Sequence, residues 1–236
     1  MGSFRLLAVL IVLLPVAGAP VAADESPYRV SKTAFRERIG SLALTPLYAP
    51  EMFAVSDGVR ELIEAEVSKR FEKTKIEVLP LETYARVRAT LADQIGGIRD
   101  AGGTIDPARR AAVWDHAKRE MRLRHPVDGF AELSITLVRA SFRDDRAEWD
   151  GVKQKVQHSG DGFALFGGRD YQGSIAAASF QLAIFDRSDE LLYLNRGGIE
   201  VLQDREGSRL VLRDADGFFQ DEKRLRKAVQ LAFKGL

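Results

Sequence analysis

The stretch from Arg38 to Pro80 constrains the fold more than any other, because it follows a strand, helix, strand pattern. Its first segment, R-I-G-S-L-A-L-T-P-L, interleaves large apolar and small residues, which is typical of a strand covered on both faces. Apolar residues then recur every three or four positions from Val59 to Phe71, which predicts a helix burying one stripe. The segment K-I-E-V-L-P closes the unit as a second strand. Such a helix is the usual crossover of a parallel strand pair, so the unit predicts an α/β fold.

The rest of the chain adds helices first and antiparallel strands later, because the hydrophobic period changes from helical to alternating near Gly129. Helices are predicted at 56–72, 82–93, 107–122 and 221–233, with Asp106 and Asp221 as caps and Pro107 as a first helical residue. Strand pairs are predicted at 130–142 with 147–156 and at 175–185 with 191–201. The predicted fold is therefore a mixed sheet with a parallel seed, antiparallel hairpins and helices packed on it.

The amino terminus has the pattern of a secretory signal peptide. Arg5 supplies positive charge, Leu6 to Leu14 is an unbroken apolar run, and Val21-Ala22-Ala23 offers small residues for cleavage. The alternative is an uncleaved membrane anchor, because Leu6 to Ala23 contains no charge and is about long enough to span a bilayer. The predicted organisation is a signal peptide at 1–23, a flexible lead-in at 24–37 and a single α/β domain at 38–236. The alternative for residues 24–37 is an edge segment.

Composition limits the partners and the chemistry. The chain has no cysteine, which excludes disulfides, thiol catalysis and lipid attachment at a cysteine. Its 35 basic and 34 acidic residues balance once Arg5 leaves with the leader, so binding to nucleic acid is not expected. A cleaved chain would make no stable membrane insertion. We expect a periplasmic or secreted protein.

The sequence contains none of the common catalytic or metal-binding motifs. No H-E-x-x-H pair or G-x-S-x-G elbow occurs, and the acidic pairs, such as Asp144-Asp145, are typical of turns. The glycine-rich I-R-D-A-G-G-T-I-D-P lacks the lysine and hydroxyl residue of a phosphate loop. No catalytic, metal or cofactor residue is assigned, and no cofactor is expected. An enzyme would instead require His116, His125 or His158 to meet carboxylates in one cleft.

Two glycine-containing stretches interrupt the strand patterns. Trp149-Asp150-Gly151 and Asn195-Arg196-Gly197-Gly198 predict β-bulges or a close approach of backbones. The alternative is that one of them forms a recognition edge.

Apolar residues in two loops form the candidate partner surface. Tyr48, Met52 and Phe53 lie in the loop after the first strand, where ligands gather in open α/β sheets. Phe163, Leu165 and Phe166 lie in a glycine-rich loop at 158–173. Exposed apolar residues grouped in this way are typical of a partner surface. Alternatively, those of the first loop pack over the end of the adjacent helix.

The segment I-G-S-L-A-L-T-P-L, the helix that begins D-G-V-R-E-L-I and the segment K-I-E-V-L-P carry a family resemblance. Over Arg38 to Pro80 the chain resembles the α/β domain of the curli-secretion lipoprotein family and of the amino-terminal domain of the Tol system's periplasmic translocation protein. The resemblance implies a role in the bacterial envelope through binding to other proteins, and it carries over no functional residue. The lipidation cysteine of the lipoproteins is missing, and the hairpins after Gly129 need not correspond. More broadly, the chain from residue 24 looks like exported bacterial proteins.

These features together favour a non-enzymatic periplasmic protein that binds or assembles with another envelope protein. The alternative function is an exported hydrolase or metal-dependent enzyme. Catalytic motifs are absent, which argues against the enzyme, whereas a binding protein does not require them.

Overall fold

A mixed, seven-stranded sheet with helices on both faces forms the centre of the molecule. The computed structural model describes residues 26–99, 103–143, 145–157, 172–206 and 209–236. Within these ranges the α-helices are α1 (Lys32–Arg38), α2 (Asp57–Phe71), α3 (Leu81–Gln94), α4 (Pro107–Arg124) and α5 (Glu222–Ala232). The strands are β1 (Ser41–Leu44), β2 (Glu77–Leu79), β3 (Gly129–Arg143), β4 (Arg146–Trp149), β5 (Val152–Lys155), β6 (Gln172–Asp186), β7 (Leu191–Val201), β8 (Gln203–Glu206) and β9 (Arg209–Leu212). Short 3-10 turns lie at Glu51–Phe53 and Ala215–Gly217.

The predicted parallel seed is confirmed. Strand β1 lies between β2 and β3 and runs parallel to both, with Ala43 opposite Leu79 on one side and Phe130 on the other. The predicted helices α2 to α5 are also confirmed to within two residues at each end. Asp106 caps α4 by accepting hydrogen bonds from the amides of Ala108 and Arg109. Asp221 caps α5 in the same way.

The antiparallel half of the sheet is built on β3, which pairs with β6 over its whole length, from Gly129 opposite Asp186 to Arg143 opposite Gln172. Strand β6 pairs in turn with β7, as predicted. The register of β6 and β7 shifts between Ala178 and Ser179, beside Gly198, so the bulge predicted near Asn195 to Gly198 is confirmed. Strands β8 and β9 form a separate two-stranded ribbon that the sequence did not indicate.

The prediction of one strand at 147–156 is wrong, and so is the bulge predicted at Trp149-Asp150-Gly151. Asp150 and Gly151 have φ values of 36° and 77°, and Trp149 pairs with Val152. Two consecutive left-handed residues make the tight turn whose twist suits a hairpin, so the chain reverses there and forms β4 and β5. The hairpin folds back over the sheet, and Trp149 Nε1 donates to the Ala178 carbonyl at 3.3 Å.

The two faces of the sheet carry separate apolar cores. Leu133 and Phe180 face α2 and α5, in the larger core. Phe130 faces the opposite side and packs with Tyr84 of α3 and Met121 of α4. A third group, which includes Phe142 and Trp149, lies under the β4–β5 hairpin. Helix α5 approaches the sheet so closely that a Cβ atom on Gly197 would lie 2.1 Å from the Ala228 carbonyl oxygen.

The prediction of a flexible lead-in at 24–37 is wrong over its described residues, because residues 27–29 form the alternative, an edge segment beside β7, and the second half is helical. Ser31 caps α1, and Phe35 within this helix is 2% exposed. Upstream of it, the Arg29 amide donates to the Leu192 carbonyl at 2.9 Å, which places this segment along the edge of β7. A helix of seven residues spans about two turns, too few for its apolar period to be recognised. In the part of the chain described, no helix has the length and hydropathy needed to cross a membrane.

Candidate binding cleft

A cleft of about 590 Å³ opens at the carboxyl end of β1, and we call it the β1 cleft. Its floor is formed by Ser134 of β3 and Gln181 of β6, with Leu133 of β3 also in its lining, and its walls come from α3 and α4. The wall and rim residues are Pro46, Leu47, Tyr48, Ala49, Glu51, Arg60, Arg88, Ala89, Ala92, Ile98, Ile105, Arg110, Ala111, Val113, Trp114, Asp115 and Glu132. This is the end of the parallel strands at which the sequence predicted a ligand site.

The rim of the β1 cleft is fixed to the sheet by backbone hydrogen bonds. The Tyr48 amide donates to the Leu133 carbonyl at 2.9 Å, and the Ile135 amide donates to the Tyr48 carbonyl at 2.8 Å. The Leu47 amide donates to Glu64 Oε1 at 2.9 Å, and Arg60 donates to the Leu47 carbonyl at 2.7 Å. Burial raises the pKa of the Glu64 carboxyl group, although the Leu47 amide opposes this shift. The rim therefore has a defined geometry before any partner binds.

Two aromatic residues flank the opening. Tyr48 is 39% exposed, and the Arg110 guanidinium lies over its ring at 5.0 Å from the centroid. Trp114 packs edge-on against buried Tyr84, with ring centroids 5.9 Å apart. Burial raises the pKa of the Tyr84 hydroxyl, which donates at 3.5 Å to the Trp114 carbonyl. These contacts hold Trp114 in place while one side of it lines the cleft.

The charges of the β1 cleft are unevenly paired. Glu132 forms an ion pair with Lys118, and Lys118 Nζ lies 2.5 Å from Glu132 Oε1. Glu51 Oε1 lies 3.7 Å from Arg99 Nη1. In contrast, no carboxylate of the described residues lies within ion-pair distance of Arg88 or Arg110. Asp115 also lines the cleft without an ion pair to a described residue, and the charge of Arg88 acts against the rise in the Glu64 pKa, so Arg110 is the guanidinium most available to an anion in the cleft.

The floor also presents polar groups without partners. Ser134 and Gln181 lie opposite each other across the β3–β6 ladder, half-buried, and both line the cleft. Neither side chain makes a hydrogen bond to any residue in the ranges described. Half-buried hydrogen-bonding groups of this kind are suited to fix the orientation of a ligand.

The structure separates the residues of the candidate partner surface. Tyr48 and Met52 are exposed, at 39% and 49%, and Tyr48 lines the β1 cleft. The assignment of Phe53 to a surface is wrong, because its side chain is fully buried in the larger core, where the 3-10 turn points it inward. Phe163, Leu165 and Phe166 lie outside the described residues.

Sequence reasoning missed the wall and floor residues Arg88, Arg110, Trp114 and Gln181. The spacing of Arg110 and Trp114, four residues apart on α4, places both on one face of the helix and was available as a signal. Gln181 interrupts an apolar run in β6, which is a second signal. Their position beside Tyr48 depends on how α4 packs over the sheet.

The described histidines do not form the site that an enzyme would need. His116 is exposed on α4, 4.0 Å from Glu120, and His125 ends the same helix. His158 lies outside the described residues. Among the residues described, no three histidine or carboxylate side chains are grouped so that they could hold a metal ion.

Comparison with known protein families, with curated proteins and with solved structures found no match to this chain. The resemblance of residues 38–80 to the curli-secretion and Tol domains therefore stays a prediction.

Proposed function

We propose that the protein is a non-catalytic binding or assembly protein of the bacterial cell envelope, exported by the leader at 1–23. Its partner, an envelope protein, docks on the rim of the β1 cleft at Tyr48 and Met52 and covers the opening. This proposal agrees with the role implied by the resemblance of the seed to envelope domains.

The single observation that supports binding is the β1 cleft itself. It is concave, its volume of about 590 Å³ lies in the range of ligand sites, and apolar side chains dominate its lining. Its described lining contains no histidine or lysine that would activate the Ser134 hydroxyl. Tyr48 at the rim and Met52, which follows the rim residue Glu51 in the chain, add exposed apolar area, as a partner surface requires.

Site-specific photo-crosslinking in living cells of the source bacterium tests the proposal. The photoreactive residue p-benzoylphenylalanine replaces Met52 in one variant and Leu123 in a control. Leu123 is 81% exposed at the far end of α4, so the control presents the same probe away from the cleft. We expect an envelope protein to be crosslinked from position 52 and not from position 123. Identical products from both positions, or none from position 52, would contradict the proposal.

The proposed export is tested separately by amino-terminal sequencing of the protein recovered from those cells. A chain that begins after Ala23 is expected. A chain that still begins at Met1 or Gly2 would favour the anchored alternative.

A further inference from the structure

We infer that the β1 cleft recognises an organic carboxylate attached to an aromatic or branched apolar group. The inference rests on the proposed function, since it requires the cleft to be a binding site. It adds the chemical class of the group that the cleft accepts.

The preference for an anion follows from the pairing of charges. Glu132 already has Lys118 as its partner, with 11% of the Lys118 side chain exposed. Arg88 and Arg110 line the cleft without an ion pair to a described carboxylate, and Arg110 Nη1 donates to the Tyr48 hydroxyl oxygen at 3.4 Å. They outnumber Asp115, the lining carboxylate that likewise forms no ion pair with a described residue, although Arg88 also interacts at longer range with Glu64. A planar guanidinium binds a planar carboxylate through two parallel hydrogen bonds, which makes a carboxylate the favoured anion.

The apolar part of the ligand follows from the walls. Ala92, Ile98 and Ile105 form an aliphatic side, and Trp114 adds a flat aromatic surface. A phenyl-sized group would cover these side chains and remove their apolar area from water, which favours binding. A small inorganic anion would leave the apolar wall side chains in contact with water, so the walls favour an organic anion.

The floor offers a further contact. The Ser134 hydroxyl and the Gln181 amide can each donate a hydrogen bond, and neither has a partner among the described residues. Donors beneath an apolar wall and beside two arginines suit an acceptor oxygen of the ligand. The same chemistry exists in a free small carboxylate and in the carboxyl terminus of a peptide, so the test needs both sources.

Nuclear magnetic resonance of ¹⁵N-labelled protein measures ligand binding in the cleft through the indole N–H signals of its tryptophans. The sequence has two tryptophans, and they lie at different positions. Trp114 lines the cleft, whereas Trp149 is 7% exposed and its Nε1 is bonded to the Ala178 carbonyl. We expect phenylacetate to move the Trp114 indole signal and to leave the Trp149 signal in place. Phenylacetamide, which has the same shape without the charge, should bind at least about tenfold more weakly.

The source of the carboxylate is tested with the peptide Gly-Gly-Gly-Gly-Phe, as the free acid and as the amide. A free-acid peptide that binds more tightly than phenylacetate assigns the cleft to a peptide carboxyl terminus. The reverse order assigns it to a free small carboxylate. Either order supports the inference, provided that each acid binds more tightly than its amide.

Variants test the arginines. Arg88→Gln and Arg110→Gln should each weaken phenylacetate binding by about tenfold. Arg86→Gln is the matched control, because Arg86 is exposed on the same helix as Arg88 and does not line the cleft. An unchanged Trp149 signal in each variant shows that the fold is intact.

Equal binding of phenylacetate and phenylacetamide would overturn the carboxylate preference and leave binding in the cleft intact. If none of the four compounds changes the chemical shift of the Trp114 indole, the whole inference is overturned. Equal effects of Arg86→Gln and Arg88→Gln would overturn the role of Arg88. Crosslinking at Met52 reports on the rim independently, so the inference can fail while the proposed function holds.

Discussion

Phe53 meets Phe219 edge to face, with ring centroids 5.6 Å apart and ring planes at 90°. Both side chains are buried, and the contact joins the loop after β1 to the segment just before α5. Edge-to-face pairs of this kind add about 1 kcal/mol to the free energy of burying the two rings. The loop that carries Tyr48 and Met52 is therefore anchored by core packing as well as by its hydrogen bonds.

Replacement of Phe53 tests this anchor. Phe53→Ala should lower the free energy of unfolding by about 3–5 kcal/mol, because it leaves a cavity in the larger core. Met52→Ala is the control, since Met52 is 49% exposed and its truncation should cost less than about 0.5 kcal/mol. Urea denaturation followed by circular dichroism measures both. Equal midpoints for the two variants would show that Phe53 does not act as a core residue.

The glycine at the bulge of β7 allows the β4–β5 hairpin to pack on the sheet. A Cβ atom on Gly198 would lie 2.2 Å from Val152 Cγ2 and 2.7 Å from Trp149 Nε1. Gly198→Ala should therefore destabilise the protein by about 1–3 kcal/mol and shift the Trp149 fluorescence to longer wavelength.

Gly58 in the first turn of α2 is the matched control for this substitution, since a Cβ atom there would meet nothing within 4 Å. Gly58→Ala should stabilise the protein by about 0.5 kcal/mol, because alanine loses less backbone entropy in a helix. A Gly198→Ala variant as stable as Gly58→Ala would mean that the hairpin does not press on β7.

The sequence was sufficient for the parts of the fold that depend on long periodic segments. The stripe from Val59 to Phe71 and the alternation after Gly129 led to the helices and to the mixed sheet. It was insufficient where elements are short. The seven residues of α1 hold too few turns to show a period, and the four-residue strands β4 and β5 together have a length that predicts one strand. The Asp-Gly pair at 150–151 forms a typical hairpin turn, whereas a glycine within a strand pattern also predicts a bulge.

The site was only partly predictable, for a physical reason that Met52 and Phe53 illustrate. The two residues are adjacent and both apolar, yet the 3-10 turn sends one to solvent and the other into the core. Local composition cannot distinguish these outcomes. Trp114 and Gln181 line the same cleft only because α4 packs over the sheet, where Met121 meets Phe130 of β3, a tertiary relationship that neither segment encodes alone. Tyr48 was found because ligand sites follow the carboxyl ends of parallel strands.

Acid should destabilise the protein in part through Asp186, which accepts hydrogen bonds from Ser188, Glu190 and Arg38. Burial alone would raise the pKa of this carboxyl group, but the bonds from Ser188, Arg38 and the backbone amides together lower it to about 2 from the ordinary 3.8. A lowered folded-state pKa contributes stability that is fully present above 3.8 and is lost as the pH falls towards 2.

Asp186→Asn tests this contribution. At pH 7 the variant should be less stable by about 2 kcal/mol, because it loses charge-assisted hydrogen bonds. At pH 2 much of that difference should disappear, because the wild-type carboxyl group is then about half protonated. Urea midpoints at the two pH values provide the measurement. A difference that stays constant between pH 7 and pH 2 would exclude Asp186 as a source of acid sensitivity.

The segment before β1 is expected to be part of the folded domain. Phe35 is buried, Tyr28 packs against Tyr193 with ring centroids 5.3 Å apart, and Arg38 pairs with Asp186 and Glu190. A chain that begins at Ile39 should therefore unfold at a lower urea concentration than one that begins at Ser26. Loss of the Phe35 side chain alone should account for about 3 kcal/mol of the difference, which Phe35→Ala measures in the longer chain. Equal urea midpoints for the two chains would show that residues 26–38 do not stabilise the domain and would support a flexible lead-in.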